Sequence, residues 1–246
     1  MFTLLISLVL SGVSSLFAEN VTLVDSQSQW KYFKGLGEPS APGIWRGDTF
    51  DDSSWVIGTA PFYYGGQITS GTLLSDMQSS YTTVYLRKTF TPVNGTYEKL
   101  TLNALCDDGF ILWINGTEVH RFNVPDGELS YDQTAASLVT VAEWKTYDLS
   151  GFDSVLQPGK ENTIAIQALN LYLTGSSDFA IDIRLTANQT SDLSFPTIKE
   201  LIPQADGTIY DPPCVTVVFS KPVAGVTQND LLCQGMPAES LKKLAD

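Results

Sequence analysis

Along most of the chain, apolar and polar residues alternate in short runs set off by turn residues. Residues 82–90 (TTVYLRKTF), 99–105 (KLTLNAL), 109–114 (GFILWI), 117–122 (TEVHRF), 162–169 (NTIAIQAL) and 179–187 (FAIDIRLTA) are rich in β-branched and aromatic side chains. Each therefore reads as a strand. In the last of them Phe179, Ile181, Ile183 and Leu185 fall on one face and Asp182 and Arg184 on the other, as a half-buried antiparallel strand requires. No comparable helical period is present. Turn signals at Asn94-Gly95, Asn115-Gly116 and Pro158-Gly159 join the runs without intervening helices. The pattern predicts an all-β chain, an antiparallel β-sandwich or jelly roll rather than a βαβ sheet.

The same pattern divides the chain. The first twenty residues, MFTLLISLVLSGVSSLFAEN, hold an apolar run from Phe2 to Leu10 followed by small residues, with Ala18 at a cleavage position. We read residues 1–18 as a signal peptide, too short in its apolar core to span a membrane, and expect a secreted or cell-surface protein. Residues 19–190 form the sandwich. After a junction at SDLSFP (191–196), residues 191–246 hold two short strands around a Pro-rich turn. They form either the start of a second β domain, incomplete in this chain, or a tail packed on the first.

Within residues 106–123 (CDDGFILWINGTEVHRFN), an Asn115-Gly116 two-residue turn sets a register in which Ile114 opposes Thr117, Trp113 Glu118, Leu112 Val119, Ile111 His120 and Phe110 Arg121. Phe110, Leu112, Ile114 and Val119 then share one face, with Asp108, Arg121 and Asn123 at its open end. Ile111, Trp113, Glu118 and His120 share the other. Asp108, Arg121 and Asn123 form either a polar cluster for sugar hydroxyls or a cation, or an ion pair that closes the hairpin. Trp113 and His120 either stack on a sugar or belong to the core. Asp107 and Asp108, as neighbours on a strand, point to opposite faces, which argues against a paired-carboxylate catalytic site.

Charge and chemistry narrow the function. With Lys+Arg 14 against Asp+Glu 27 the net charge is −13, which opposes nucleic acid and anionic membranes as partners. The sole histidine, His120, has no nucleophile motif beside it, and phosphate-loop, dinucleotide, zinc-protease and EF-hand motifs are absent. No catalytic constellation is visible. Cys106, Cys214 and Cys233 have no metal spacing; Cys214 and Cys233 either pair or stay free. Asn20, Asn94, Asn115 and Asn188 begin glycosylation sequons.

FDDSSWVIGTAPFYYG (50–65), YTTVYLRKTF (81–90), DDGFILWINGTEV (107–119), IAIQALN (164–170) and SSDFAIDIRL (176–185) occur in an order that resembles the galactose-binding-like jelly-roll domains of large secreted bacterial proteins. The FDDSSW and NG elements are similar to the sugar-binding domain of family 2 glycoside hydrolases such as β-galactosidase, where the catalytic carboxylates lie in a separate barrel. The resemblance spans roughly residues 30–187 and implies fold more firmly than function. The Asp-Asp-Gly also resembles calcium-dependent lectin domains similar to anthrax protective antigen. The stretch VTVVFSKPVAGVTQNDLL resembles the opening of a bacterial immunoglobulin-like domain.

Within that frame Asp51 and Asp52 are expected to build a side-chain-bonded turn and Trp55 to plug the core. Asn170, Tyr172, Ser176, Ser177 and Asp178 lie in a loop between strands, with Tyr172 as an aromatic platform. A structural calcium ion is expected to use Asp107, Asp108 and Asp178. The chain is expected to be a non-catalytic carbohydrate-binding or adhesion module of an exported protein, with a cell-surface glycan and further domains of a longer polypeptide as partners. The alternatives are a spacer or accessory domain with no ligand of its own, or a small hydrolase with two facing acids in a cleft.

Overall fold

The computed structural model describes residues 17–66, 68–191, 198–202, 216–219, 232–233 and 236–237. Contacts divide the chain into two units, one of residues 18–191 and one of residues 1–17 with 192–246. The larger unit is a β-sandwich. Its first sheet runs β10 (Glu143–Asp148), β7 (Thr96–Asp107), β12 (Asp178–Ser191), β4 (Phe62–Gly65) and β5 (Thr72–Leu73), with β1 (Phe17–Val24) also paired to β12. Its second runs β3 (Val56–Thr59), β2 (Gln29–Lys34), β6 (Thr83–Phe90), β11 (Asn162–Leu169), β8 (Gly109–Ile114) and β9 (Thr117–Phe122). Along these two strand orders pairing is antiparallel except between β4 and β5.

Alternation puts Phe110, Leu112 and Ile114 of β8, Ile164 and Ile166 of β11, and Phe179, Ile181, Ile183 and Leu185 of β12 into one core between the sheets. The opposite face of the second sheet is apolar too. There Tyr85, Ile111, Trp113, Ala165 and Leu169 are covered by Trp45, Trp55, Leu129 and Ala135 from the connecting loops. Because both faces are buried, β8 and β11 are buried at every residue, and they read in sequence as near-continuous apolar runs.

Arg87 fastens one of those covering loops. It is 2 % exposed, and it donates to the Asp52 carboxylate at 2.9 Å and to the Trp45 and Gly47 carbonyls. Asp51 accepts from Ser53 N–H and Asp52 C=O from Trp55 N–H, so FDDSSW is a side-chain-bonded turn with Trp55 plugged into the outer aromatic layer. Lys31 and Arg87 hold the Asp52 carboxyl below its ordinary value, even though burial raises it.

The hairpin β8–β9 departs from the register read in sequence. Asn115 and Gly116 turn with positive φ, 50° and 79°, and Ile114↔Thr117 and Trp113↔Glu118 pair as expected. A bulge between Leu112 and Trp113 then places His120 opposite Leu112, Arg121 opposite Ile111 and Phe122 opposite Phe110. One extra residue on a strand exchanges the faces of everything beyond it. His120 therefore joins the Phe110 side, its ring 4.1 Å from that of Tyr147. Phe110, His120, Phe122 and Tyr147 close the side of the sandwich where β9 and β10 run.

In the smaller unit β13 (Ile198–Ile202) pairs antiparallel with β14 (Thr216–Phe219), and β15 (Leu232–Cys233) with β16 (Met236–Pro237). Residues 1–16 of the proposed signal peptide and Cys214 lie outside the described residues, as does most of the stretch that resembles an immunoglobulin-like domain; Phe17 and Ala18 fall in β1. No helix among the described residues is long and apolar enough to cross a membrane.

Candidate functional site

At Asp107–Gly109 the chain leaves the first sheet and enters the second: Asp107 ends β7 and Gly109 begins β8. Strand alternation does not run across such a corner, so the expectation that Asp107 and Asp108 diverge is corrected. Both are buried, 3 % and 1 % exposed, and close enough for the Asp108 charge to act on Asp107. Burial, with Asp108 and Asp178 nearby, pushes Asp107 up to about 7. Asp108 is raised by burial too, against the pull of its two backbone donors.

Those donors define what Asp108 does. One carboxylate oxygen accepts from Val139 N–H and the other from Leu171 N–H, each at 2.7 Å. Val139 and Leu171 belong to different loops, so one buried side chain ties both to the corner. Asn123, in the left-handed region at φ 51°, adds to the tie by donating to the Asp108 carbonyl and to Ser137 C=O. Gly109 is required here, since a Cβ would lie 2.6 Å from the Asn123 carbonyl oxygen. Asn170, 1 % exposed, donates to Tyr64 Oη at 2.7 Å.

The expected cluster of Asp108, Arg121 and Asn123 does not form. The bulge turns Arg121 toward Glu118, which it meets through two N–H groups at 2.8 and 2.9 Å, and toward the Pro125 and Gly127 carbonyls. Trp113 is 2 % exposed, inside the outer aromatic layer with the Arg46 guanidinium 4.1 Å from its ring. It is a core residue with no face for a sugar. His120 likewise packs against Tyr147 and Phe110, and burial lowers its pKa.

The acids do not assemble a calcium site. Among the described residues no group of three or more His, Cys, Asp or Glu side chains is placed to hold a metal ion. Calcium takes six to eight oxygen ligands, whereas both Asp108 oxygens are committed to backbone N–H groups. Ser177 Oγ donates to Asp178 Oδ1 at 2.9 Å.

The ties at the corner leave the outer parts of the loops in solvent. Tyr172 and Leu173 are 53 % and 46 % exposed, and Leu138 and Val141 are both 61 % exposed. Ser79 N–H donates to Leu173 C=O and Gln78 Nε2 to Ser176 C=O, so a third loop buttresses the segment that carries Tyr172. Tyr172 lies in a loop between strands, as expected.

A second exposed feature was missed. On the outer face of the first sheet, Trp144 is 49 % exposed and borders a shallow open depression of about 260 Å³ lined with Ser26, Asn103, Thr146 and Arg184. Strand β10, which carries Trp144, was not predicted. Its sequence, EWKTYD, is exposed at five of six positions, so it lacks the apolar alternation that marks a buried strand; the Trp between charged residues was the only signal.

No protein-family model matches the chain, and no curated protein matches it. Among solved structures it is similar to a β-glucuronidase of Bacteroides uniformis (20 % identity, TM-score 0.45, covering 75 % of this chain and 21 % of that one). It is similar also to a glycosyl hydrolase family 2 member of Bacteroides cellulosilyticus (16 %, TM-score 0.42, 68 % and 20 %). A third is a β-glucuronidase of Ruminococcus gnavus (12 %, TM-score 0.44, 87 % and 35 %). The chain thus spans between about a fifth and about a third of the length of these enzymes.

Proposed function

We propose that residues 18–191 form a non-catalytic carbohydrate-binding module, an accessory domain of a larger exported polypeptide, with its binding surface on the loops tied to the corner. The observation that carries this is the presentation of Tyr172. Its ring is half exposed on a loop whose base is fixed through Leu171 N–H to the buried Asp108 carboxylate, with Ser177 of the same loop and Asp178 at the start of β12 as hydroxyl partners. An aromatic held in place by its supports stacks on a pyranose at little cost in conformational entropy. The adjacent acids do not stand open as a catalytic pair would: Asp107 and Asp108 are buried, and both Asp108 oxygens accept from backbone N–H groups.

A glycan array probed with the full chain tests the proposal. Binding to at least one glycan, lost in Tyr172→Ala and kept in Tyr172→Trp, is the expected result; an array without signal rejects carbohydrate recognition. A second reading is favoured by the exposed Leu138, Val141 and Leu173: these loops dock against a neighbouring domain of the same polypeptide. It predicts no glycan signal, and protection of residues 138–141 and 171–174 from hydrogen exchange only when that neighbouring domain is present.

A further inference from the structure

We propose that the outer face of the first sheet is a separate saccharide-binding surface, centred on Trp144, that takes an inner stretch of a neutral polysaccharide. The inference does not depend on the loop surface around Tyr172. It rests on the placement of four side chains by strand register, with a fifth, Ser26, from the turn between β1 and β2. Thr146 of β10 lies opposite Asn103 of β7, and Asn103 opposite Arg184 of β12, so a hydroxyl, an amide and a guanidinium form one row across three strands. Neighbouring strands are about 4.8 Å apart, so the row is about 10 Å long. Trp144 stands two residues from Thr146 along β10, on the same face, and Ser26 closes the depression.

These groups suit a sugar chain. The indole face offers a flat apolar surface to the C–H face of a pyranose, and its 49 % exposure leaves it free to stack. The amide of Asn103 both donates and accepts, and its Nδ2 meets Thr146 Oγ1 at 3.1 Å, so each orients the other toward a hydroxyl pair. Arg184 is braced by Thr22 Oγ1 at 2.9 Å and its side chain is 48 % exposed, which leaves guanidinium N–H groups for ligand oxygens.

Shape and charge select within carbohydrates. The depression is open, with no wall to close around the end of a chain, and its polar row is longer than one ring. It therefore favours an internal segment over a monosaccharide. Asp25 sits 3.7 Å from Arg184 Nε, so the cation on this face is locally balanced, and the chain as a whole carries −13. An acidic polysaccharide meets net repulsion; a neutral one does not.

Affinity electrophoresis of the full chain in gels containing hydroxyethylcellulose, xyloglucan, galactomannan or, as the acidic arm, polygalacturonate tests this. The expected result is retardation by at least one neutral polymer, weakened about tenfold in Trp144→Ala and in Asn103→Ala with Arg184→Ala. Trp144→Phe should restore part of it and Tyr172→Ala should leave it unchanged. The parent monosaccharide should not compete at concentrations where the polymer saturates. No retardation by any neutral polymer, retardation by polygalacturonate alone, or retardation indifferent to Trp144→Ala overturns the proposal. So does self-association of the parent chain that Trp144→Ala abolishes, which would assign the face to a second copy. Retardation lost in Tyr172→Ala and kept in Trp144→Ala would overturn this surface while leaving the loop surface standing.

Discussion

At the scale of single residues, the corner shows how a side chain suggestive of chemistry is consumed by architecture. Asp108 accepts two backbone N–H groups from loops distant in sequence. Replacing it with alanine leaves both donors buried without partners, so Asp108→Ala should lower unfolding stability by about 3 kcal/mol in urea denaturation. Its neighbour sets a pH dependence. Asp107 titrates at about 7 in the folded protein against an ordinary 3.8, so the folded state holds a proton that the unfolded chain releases. Its contribution is fully present below about pH 3.8 and is lost as pH rises toward 7. Asp182, raised to about 6 by burial, acts in the same direction. His120, lowered by burial, acts in the opposite one. The informative quantity is therefore the difference between Asp107→Asn and the parent: the variant should gain stability relative to the parent as pH rises from 5 to 8. A difference that stays constant over that range would show that Asp107 does not hold its proton.

At the scale of elements, legibility in sequence followed burial. The six predicted strands correspond to β6, β7, β8, β9, β11 and β12, whose apolar residues fill the core or the outer aromatic layer. The short or solvent-facing strands β3, β5 and β10 escaped, because a strand exposed on its faces needs no apolar period; β1, β2 and β4 escaped as well, although Trp30, Phe62 and Tyr64 are buried. The Asn-Gly turn was legible because Asn115 and Gly116 must take positive φ. The bulge was not, since nothing local to TEVHRF states how its backbone meets β8. That single shift separated Arg121 from Asp108 and His120 from Trp113, and with them the site expected there. Tyr172 was legible from loop position alone; the row of Thr146, Asn103 and Arg184 was not, because it exists only once three strands are in register. The loop that caps the second sheet gives a test at this scale. Arg87 is its buried fastening, and removing it takes the donor from the Trp45 and Gly47 carbonyls and leaves Asp52 with Lys31 alone. Arg87→Ala should cost about 3 kcal/mol or more. It should also open protease sites within residues 36–54, with Arg46 a natural trypsin target, under conditions where the strands remain protected.

At the scale of the whole molecule, both hydrophobic clusters are drawn entirely from residues between Val21 and Ala187. Among the described residues the sandwich thus has a core of its own. An apolar core that is complete within one unit is what lets a domain fold alone. Residues 18–191 expressed alone should therefore unfold in one cooperative urea transition with the midpoint of the full chain. The five tryptophans make this measurable without a label, because Trp30, Trp45, Trp55, Trp113 and Trp144 all lie within that unit. Fluorescence of the full chain thus reports the sandwich and nothing else. Four of the five are buried, so unfolding should shift their emission to longer wavelength. Coincident midpoints and slopes in the two proteins would establish an autonomous domain, since the slope scales with the surface exposed on unfolding. A fragment whose midpoint falls well below that of the full chain would mean that residues outside 18–191 cover apolar surface of the sandwich, and the exposed Val93, Leu138 and Val141 would be the first places to look for that cover.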